Sequence, residues 1–140
     1  MLHLDLITVG DLPRGAFQEL RSTYLKYLLR YARVDHRPIK DAKDVFRRID
    51  RPSVVMVLDA GGEKMDSVAF AKKIQSYDDM GAKLTVIIGD ANGLSDEIKK
   101  QADVLLSLSP MTTTHDLAHI FFLEQLYRAF TIIRGTDYHK

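Results

Sequence analysis

The chain has 140 residues, 46% of them hydrophobic, and a formal net charge of +1 at pH 7, which predicts a single soluble domain over residues 1–140 and argues against a strongly electrostatic nucleic-acid binder. It contains no cysteine, so disulfides and thiolate metal sites are excluded. No apolar run approaches the ~20 residues that span a bilayer, and no basic region precedes the N-terminal apolar stretch, so we expect a cytoplasmic protein without a membrane segment or signal peptide.

Strands and helices alternate along the first part of the chain. Hydrophobic spacing predicts a strand at Leu2–Val9, an amphipathic helix at Ala16–Tyr31 and a weaker strand at Val34–Ile39. Pro38 within that strand favours an edge position in the sheet, because proline lacks the amide hydrogen. A short helix follows, N-capped by Asp41 and continuing to Ile49.

The same alternation continues to the end of the chain. The predicted elements are a buried strand at Val54–Leu58, a loop at Asp59–Lys64, a helix at Ser67–Met80, a strand at Leu84–Ile88, a loop at Gly89–Gly93, a helix from Ser95 to Gln101, a strand at Val104–Leu108 buried on both faces, a loop at Ser109–Thr114 and a long helix at His115–Arg134. Gly135 stands where a helix C-cap is expected. This order predicts an α/β fold, with a mainly parallel sheet covered by helices on both faces.

Three loops leave the carboxyl ends of predicted interior strands. They follow Leu58, Ile88 and Leu108, and all are rich in small residues. Ligands of parallel sheets bind beyond these strand ends, and small residues allow a ligand to approach the backbone. The loops therefore predict one composite pocket, although glycines after strands can also serve only the turns.

Four segments in order resemble one known family. They are LITVG at residues 6–10, VVMVLDAGGEKMDS at 54–67, VIIGDANGLS at 86–95, and the C-terminal set LSLSPMTTTH, EQLYRA and YHK at 106–115, 124–129 and 138–140. These motifs are similar to those of the large-subunit ribosomal RNA methyltransferase H family of the SPOUT superfamily. The resemblance implies a C-terminal trefoil knot, a homodimer, and methylation of N3 of a pseudouridine in 23S rRNA of the assembled large subunit or 70S ribosome.

The resemblance also implies a cofactor and its binding residues. The cofactor is S-adenosylmethionine, held in a bent form mainly by backbone groups. The implied cofactor-binding residues are Leu58, Gly89, Asp90, Ser109, Pro110, Met111, Thr112, Thr113 and Thr114. No GxGxxG fingerprint is present, so a Rossmann-type methyltransferase is not supported.

The chemistry needs alignment and a proton acceptor but no metal, because the sulfonium already carries an activated methyl group. A neutral imidazole is a suitable base near pH 7, so His139 is the candidate base. Tyr138 is placed to stack on the substrate base, and Arg128 to hold a phosphate or the developing oxygen charge. Lys140 and His115 are the candidate RNA contacts.

Each of these residues also has a structural alternative. The terminal YHK can be a frayed tail, and Arg128 can form a surface ion pair with Glu124 one helical turn away. His115 can be a polar residue of the first helical turn, and Met111 can fill the core.

The last helix is apolar around much of its circumference, more than one sheet face can cover. Either it is wholly interior or part of it meets a second subunit, as the homodimer of the family implies. Basic residues that a dimer would double are Lys26, Arg30, Arg33, Arg37, Arg47, Arg48 and Arg51. They can equally be ordinary solvated charges.

The chain departs from the family pattern chiefly at Asp90, where a second glycine is usual, and at His119, where arginine is common. The substitution at Asp90 keeps open an alternative function, a knotted SPOUT dimer with weakened catalysis that binds RNA or acts as a scaffold. A flavodoxin-like signalling receiver is poorly supported, because it needs an acidic cluster after the first strand and a lysine after the last one.

Overall fold

A computed structural model describes residues 1–140 and contains one five-stranded sheet. Its strands are β1 (Leu2–Val9), β2 (Ala32–Ile39), β3 (Val54–Lys64), β4 (Lys83–Ile88) and β5 (Val104–Ser107). The strand order is β2-β1-β4-β3-β5, and every neighbouring pair is parallel. All carboxyl ends therefore lie at one edge of the sheet, where the composite pocket is predicted.

Helices cover both faces of the sheet. The longer helices α1 (Ala16–Leu28), α3 (Ser67–Asp79) and α5 (His115–Arg134) pack on one face. The other face carries the short α2 (Val45–Arg48), which continues a 3-10 turn at Ala42–Asp44, and α4 (Asp96–Lys100). The predicted α/β class with both faces covered is confirmed.

Alternation along β1 explains the two cores. Leu2, Leu4 and Leu6 point into the core beneath the long helices, and Ile7 and Val9 belong to the second core beneath α2 and α4. Because successive side chains of a strand point to opposite faces, apolar residues at both even and odd positions are what a strand covered on both sides requires.

Several predicted boundaries differ from those observed. The first helix ends at Leu28 instead of Tyr31, and β2 begins two residues earlier than predicted. The edge position predicted from Pro38 is confirmed, since β2 is the outermost strand beside β1. The predicted burial of Val104–Leu108 on both faces is only partly correct, because β5 is the other edge strand and its first two residues are half-buried.

The prediction of a loop at Asp59–Lys64 was wrong. This segment continues β3, with a register shift after Leu58 that lets Glu63 pair with Leu106 and Lys64 with Ser107. A Cβ at Gly62 would lie 2.7 Å from the Leu105 carbonyl, so the second stretch of pairing requires glycine there. A glycine pair reads as a turn in sequence, but here it permits close strand contact.

Helix termini agree with their sequence signals. The side chains of Asp41, Ser95 and Thr114 accept hydrogen bonds from backbone amides two or three residues ahead. Gly135 ends α5 in the left-handed conformation, with φ of 71°. None of these helices is both long enough and apolar enough to cross a membrane. The trefoil knot stays a prediction.

Candidate functional site

One cavity of about 940 Å³ lies at the carboxyl ends of β3, β4 and β5. Three chain segments that are distant in sequence form its walls: residues 58–60, 88–94 and 106–118, with Lys99 of α4 completing the lining. The convergence that the three loops predict is therefore present. Its volume is in the range of sites for nucleotide-sized ligands.

In the structure, the residues that are predicted to bind the cofactor line this cavity, with one exception. The lining includes Leu58, Gly89, Asp90, Ser109, Met111, Thr112, Thr113 and Thr114, but not Pro110. Met111 is 78% exposed, so the alternative that it fills the core was wrong. Whether these residues bind a cofactor stays a prediction.

Local hydrogen bonds hold the loops that line the cavity. The hydroxyl of Ser109 accepts from the Met111 amide at 3.1 Å, and that of Thr114 accepts from the Leu117 amide at 3.3 Å. A Cβ at Gly89 would lie 2.9 Å from Cγ of Leu94, so only glycine lets the chain turn this closely after β4. The loops are therefore held in fixed turns, and glycine at position 89 leaves backbone groups open to a ligand.

Asp90 uses its carboxylate to close its own loop. Oδ1 accepts from the Asn92 amide at 3.0 Å, and the Gly93 amide donates to the Asp90 carbonyl at 2.9 Å. This is an Asx-type turn, in which aspartate is favoured for its short acceptor side chain. The substitution at the usual glycine position is thus accommodated by the loop, with a negative charge at the cavity wall.

The other charges at the cavity are partly paired. Lys99 lies 3.3 Å from the carboxylate of Asp59. Nε2 of His115 lies 3.1 Å from Oδ1 of Asp116, at the start of α5. His115 therefore faces the cavity from the first helical turn, so its position agrees with both the predicted RNA contact and the structural alternative.

The predicted catalytic residues form one cluster at the other end of α5. Glu124 accepts from the Arg128 guanidinium at 2.7 and 3.1 Å and from the Tyr138 hydroxyl at 3.0 Å. The guanidinium also lies 4.8 Å above the Tyr138 ring, and donates to Nδ1 of His139 at 3.0 Å. The tail is thus held against the helix, and the ion pair named as the alternative for Arg128 is present.

Electrostatics in this cluster keep Arg128 charged and Tyr138 protonated. Hydrogen bonding to Glu124 raises the pKa of Arg128 further. Burial, and then the hydrogen bond to Glu124, raises the pKa of Tyr138 to about 12. Because Arg128 donates to Nδ1 of His139, the neutral ring carries its proton on Nε2.

The cavity and the tail cluster lie apart in one chain. His115 and Arg128 are separated by 13 residues of a continuous helix, or about 20 Å at the helical rise. No residue of the tail lines the cavity. Lys140 is exposed and forms an ion pair with Asp137. A single chain therefore does not bring the two groups of predicted residues together.

A pair of neighbouring histidines on β2 and α5, with His119 buried and His36 half-buried, is a feature that sequence reasoning missed. The rings of His36 and His119 lie 5.2 Å apart, and Nε2 of His119 has no hydrogen-bond partner. Burial, and then the neighbouring His36, lowers the pKa of His119 to about 3. The spacing of His119 four residues after His115 was the available signal.

Ion pairing divides the basic residues singled out from the sequence. Arg33, Arg37 and Arg47 each contact an aspartate carboxylate. No ion pair is found for the other four, which are Lys26, Arg30, Arg48 and Arg51, and all four are exposed. Fewer of these cations are free than the sequence alone suggests.

The comparisons with known proteins agree with this architecture. A family model described as a predicted SPOUT methyltransferase matches residues 2–139. The chain therefore belongs to the SPOUT methyltransferase family, which confirms the predicted class.

Curated relatives define the family more narrowly. Proteins named ribosomal RNA large subunit methyltransferase H are 33% identical in Caldicellulosiruptor saccharolyticus and 37% identical in Maridesulfovibrio salexigens. These alignments cover 98% and 99% of this chain, and 99% of each relative. The resemblance drawn from the sequence motifs, to the large-subunit ribosomal RNA methyltransferase H family, is thus confirmed over the full chain.

Solved structures share the fold at low sequence identity. A probable methylase family protein from Haemophilus influenzae aligns with a TM-score of 0.58 at 14% identity, covering 99% of this chain and 70% of that one. The SpoU methyltransferase AviRb from Streptomyces viridochromogenes, solved with AdoMet, aligns at 0.54 and 15%, covering 96% and 58%. These matches support the SPOUT-like arrangement of the sheet and helices.

Proposed function

We propose that this protein is a cytoplasmic, single-domain enzyme that uses S-adenosylmethionine to methylate N3 of a pseudouridine in 23S rRNA of the assembled large subunit or 70S ribosome. The observation that carries the proposal is the cavity at the carboxyl ends of β3, β4 and β5, whose lining contains the family motifs of three separate segments. Its coarser part, a ribosomal RNA methyltransferase, follows from the family.

The cavity fits the cofactor in size and chemistry. Ile88, Leu94, Leu106 and Leu108 provide apolar surface for an adenine ring, and the turns after β4 and β5 offer backbone groups for its edge. The cradle at Gly89 would be closed by any side chain. We assign the cofactor-binding role to Leu58, Gly89, Asp90 and the loop from Ser109 to Thr114.

The cofactor supplies an activated methyl group, so the protein has to orient the nucleophile and accept one proton. In the proposed step, Nδ1 of His139 accepts the proton of substrate N3–H, which frees the N3 lone pair for the methyl group that the bound cofactor would supply. Arg128 occupies Nδ1 in this structure. Base action therefore requires Arg128 to move from His139 to a substrate oxygen, where it stabilises the developing negative charge.

The separation of cavity and tail supports a homodimer. One stripe of α5 faces outward, with Leu117 51% and Phe121 40% exposed. Glu124 and Arg128 continue it at the helical spacing. Exposed apolar side chains on a helix that otherwise packs inward favour a protein contact.

Two-fold symmetry gives this stripe a functional consequence. If two copies of α5 cross antiparallel with the axis between Phe121 and Glu124, Arg128 of one copy meets Leu117 of the other. Leu117 lines the cavity. The tail residues Tyr138 and His139, which are held on Arg128, then reach the cavity of the partner subunit.

A methyl-transfer assay tests the proposal directly. Ribosomes from a strain that lacks the modification are incubated with radiolabelled cofactor, and the modified nucleoside is identified by mass spectrometry. We expect one methyl group on N3 of a pseudouridine, and none on ribosomes whose target position is an unmodified uridine. His139→Ala should lower kcat by about two to four orders of magnitude with little change in cofactor affinity.

The second candidate, a knotted dimer that binds RNA without efficient catalysis, is favoured only by the charge of Asp90 at the cavity wall. Isothermal calorimetry distinguishes the two. No heat of binding at millimolar cofactor would support the scaffold, whereas binding together with methyl transfer would exclude it.

A further inference from the structure

We propose that the loops at the carboxyl ends of β1 and β2 bind the phosphate backbone of the RNA substrate through Arg14, Lys40 and Lys43. These three residues are called the basic rim below. The inference rests on the proposed function, because it concerns how RNA reaches the cavity, but it assigns residues that neither the motifs nor the cavity lining contains.

The basic rim lies on the same edge of the sheet as the cavity. β1 pairs with β4, and its residue Thr8 lies opposite Ile88, which lines the cavity. The Gly10 amide donates to the Ile39 carbonyl at 2.7 Å, so the loops that follow β1 and β2 are neighbours. RNA that presents one nucleotide to the cavity therefore passes beside these loops.

The cations of the basic rim are free to bind an anion. Arg14, Lys40 and Lys43 are exposed, and no carboxylate lies within ion-pair distance of any of them. By contrast, Arg21 lies 2.5 Å from a carboxylate oxygen of Asp11, and Arg47 pairs with Asp44. Two of the three acids nearest the rim are thus neutralised by other arginines, and the third, Asp41, caps the Lys43 amide.

A hydrogen-bonded chain fixes the loop that carries Arg14. Arg21 donates to Nδ1 of His36 at 3.3 Å, so the neutral ring donates through Nε2 to the Thr8 hydroxyl at 2.9 Å. That hydroxyl in turn donates to the Gly10 carbonyl at 2.7 Å. Burial, and then the charge of Arg21, lowers the pKa of His36 and keeps its ring neutral. A fixed loop loses less conformational entropy when it binds.

The charges around the cavity favour this side for the RNA backbone. The cavity wall beyond β4, β3 and β5 carries Asp59, Asp90 and Asp116, with Lys99 pairing only the first of them. Phosphates would be repelled there and attracted to the basic rim. With a net charge of only +1, the position of free cations matters more than their number.

The test compares two variants of equal net charge. The rim variant carries Arg14→Gln, Lys40→Gln and Lys43→Gln. The control carries Lys72→Gln, Lys73→Gln and Lys100→Gln, which remove three cations without ion pairs on α3 and α4, outside the loops after β1 and β2. Binding to purified large ribosomal subunits is measured over a range of salt concentrations, and thermal unfolding verifies the fold of both variants.

For the rim variant we expect binding at ~0.1 M salt to weaken by about tenfold or more, and the salt dependence of log K to decrease by about 2 to 3. The control should stay within about twofold of the wild type. Single variants Arg14→Gln and Lys40→Gln should each lower the slope by about 0.7 to 0.9, which preserves the test if the triple variant unfolds. Equal effects of rim and control variants, or no binding by the wild type, would overturn the inference.

Methyl transfer separates this inference from the proposed function. If wild-type binding depends on the basic rim but no methyl group is transferred, the rim stands and the proposed reaction fails. If ribosomes are methylated with the same KM by the rim variant and the wild type, the reaction stands and the rim is wrong. Cofactor affinity measured by calorimetry should be unchanged in the rim variant under either outcome.

Discussion

The proposed division of the site between two subunits predicts that two inactive variants restore each other. Gly89→Val fills the backbone cradle of the cavity, because a Cβ there already lies 2.9 Å from Cγ of Leu94. His139→Ala removes the proposed base from the tail cluster, which lies about 20 Å along α5 from the cavity. Each homodimer should be inactive, since every composite site contains one damaged half.

A heterodimer of these two variants should regain about half of the wild-type activity. Its intact cavity belongs to the His139→Ala chain, and its intact tail belongs to the Gly89→Val chain, so one of its two sites is complete. The two chains are produced together with different affinity tags, the mixed dimer is purified by both tags, and methyl transfer to ribosomes is measured per dimer.

The reciprocal heterodimer provides the control. A wild-type chain paired with the double variant Gly89→Val/His139→Ala has no complete site if the tail acts on the partner's cavity, so it should be inactive. If cavity and tail belonged to the same chain, this dimer would keep about half of the activity and the first heterodimer would have none. That reversed pattern would refute the composite site.

Three further predictions concern single residues. Phe121→Asp should dissociate the proposed dimer. The side chain has an area of ~200 Å² and is 40% exposed, so burying that part in both subunits corresponds to about 4 kcal/mol, or a ~10³-fold change in Kd. An unchanged Kd in analytical ultracentrifugation would exclude this stripe as the interface. Asp90→Asn keeps the acceptor for the Asn92 amide but removes the charge, so it should alter cofactor affinity without lowering stability. Asp90→Gly removes the acceptor as well and should lower the free energy of thermal unfolding by about 1 kcal/mol. Equal stability of the two variants would contradict the role of the turn. His119 has a pKa of about 3 in the folded chain and about 6.5 in the unfolded chain, so its protonation favours the unfolded chain below pH 6.5. From pH 6 to pH 4 the free energy of unfolding of the wild type should therefore fall by about 1.4 kcal/mol per pH unit relative to His119→Gln. Parallel curves of unfolding free energy against pH for the two proteins would refute this.

The sequence predicted the fold well where local signals were sufficient. The first strand and the last helix have the predicted bounds, because the spacing of apolar residues in the strand and Gly135 at the end of the helix are clear local signals. The continuation of β3 to Lys64 was not predicted, because its pairing with β5 depends on contacts between residues 43 positions apart, such as Glu63 and Leu106. Glycines in that segment signal a turn, whereas their role is close approach of two strands.

The site shows the same division between local and long-range information. The three loops of the cavity could be predicted together, because parallel strands place their carboxyl ends on one edge. The hydrogen bonds of Arg128, Tyr138 and His139 with Glu124 bring together residues from a helix and a tail that no periodicity connects. Likewise, the contact of His36 with His119 joins β2 to α5 across the end of β1.

The position of α5 relates these findings to each other. Its first turn lines the cavity through His115 and Asp116, its first half exposes Leu117 and Phe121, and its second half holds the tail through Arg128. A helix of this length is too long for one site, because its ends are about 30 Å apart. It suits two sites in an antiparallel pair, in which each copy of α5 begins at its own cavity and ends at that of its partner. The low net charge is consistent with this arrangement, since the proposed dimer would present two sets of free cations to one RNA substrate.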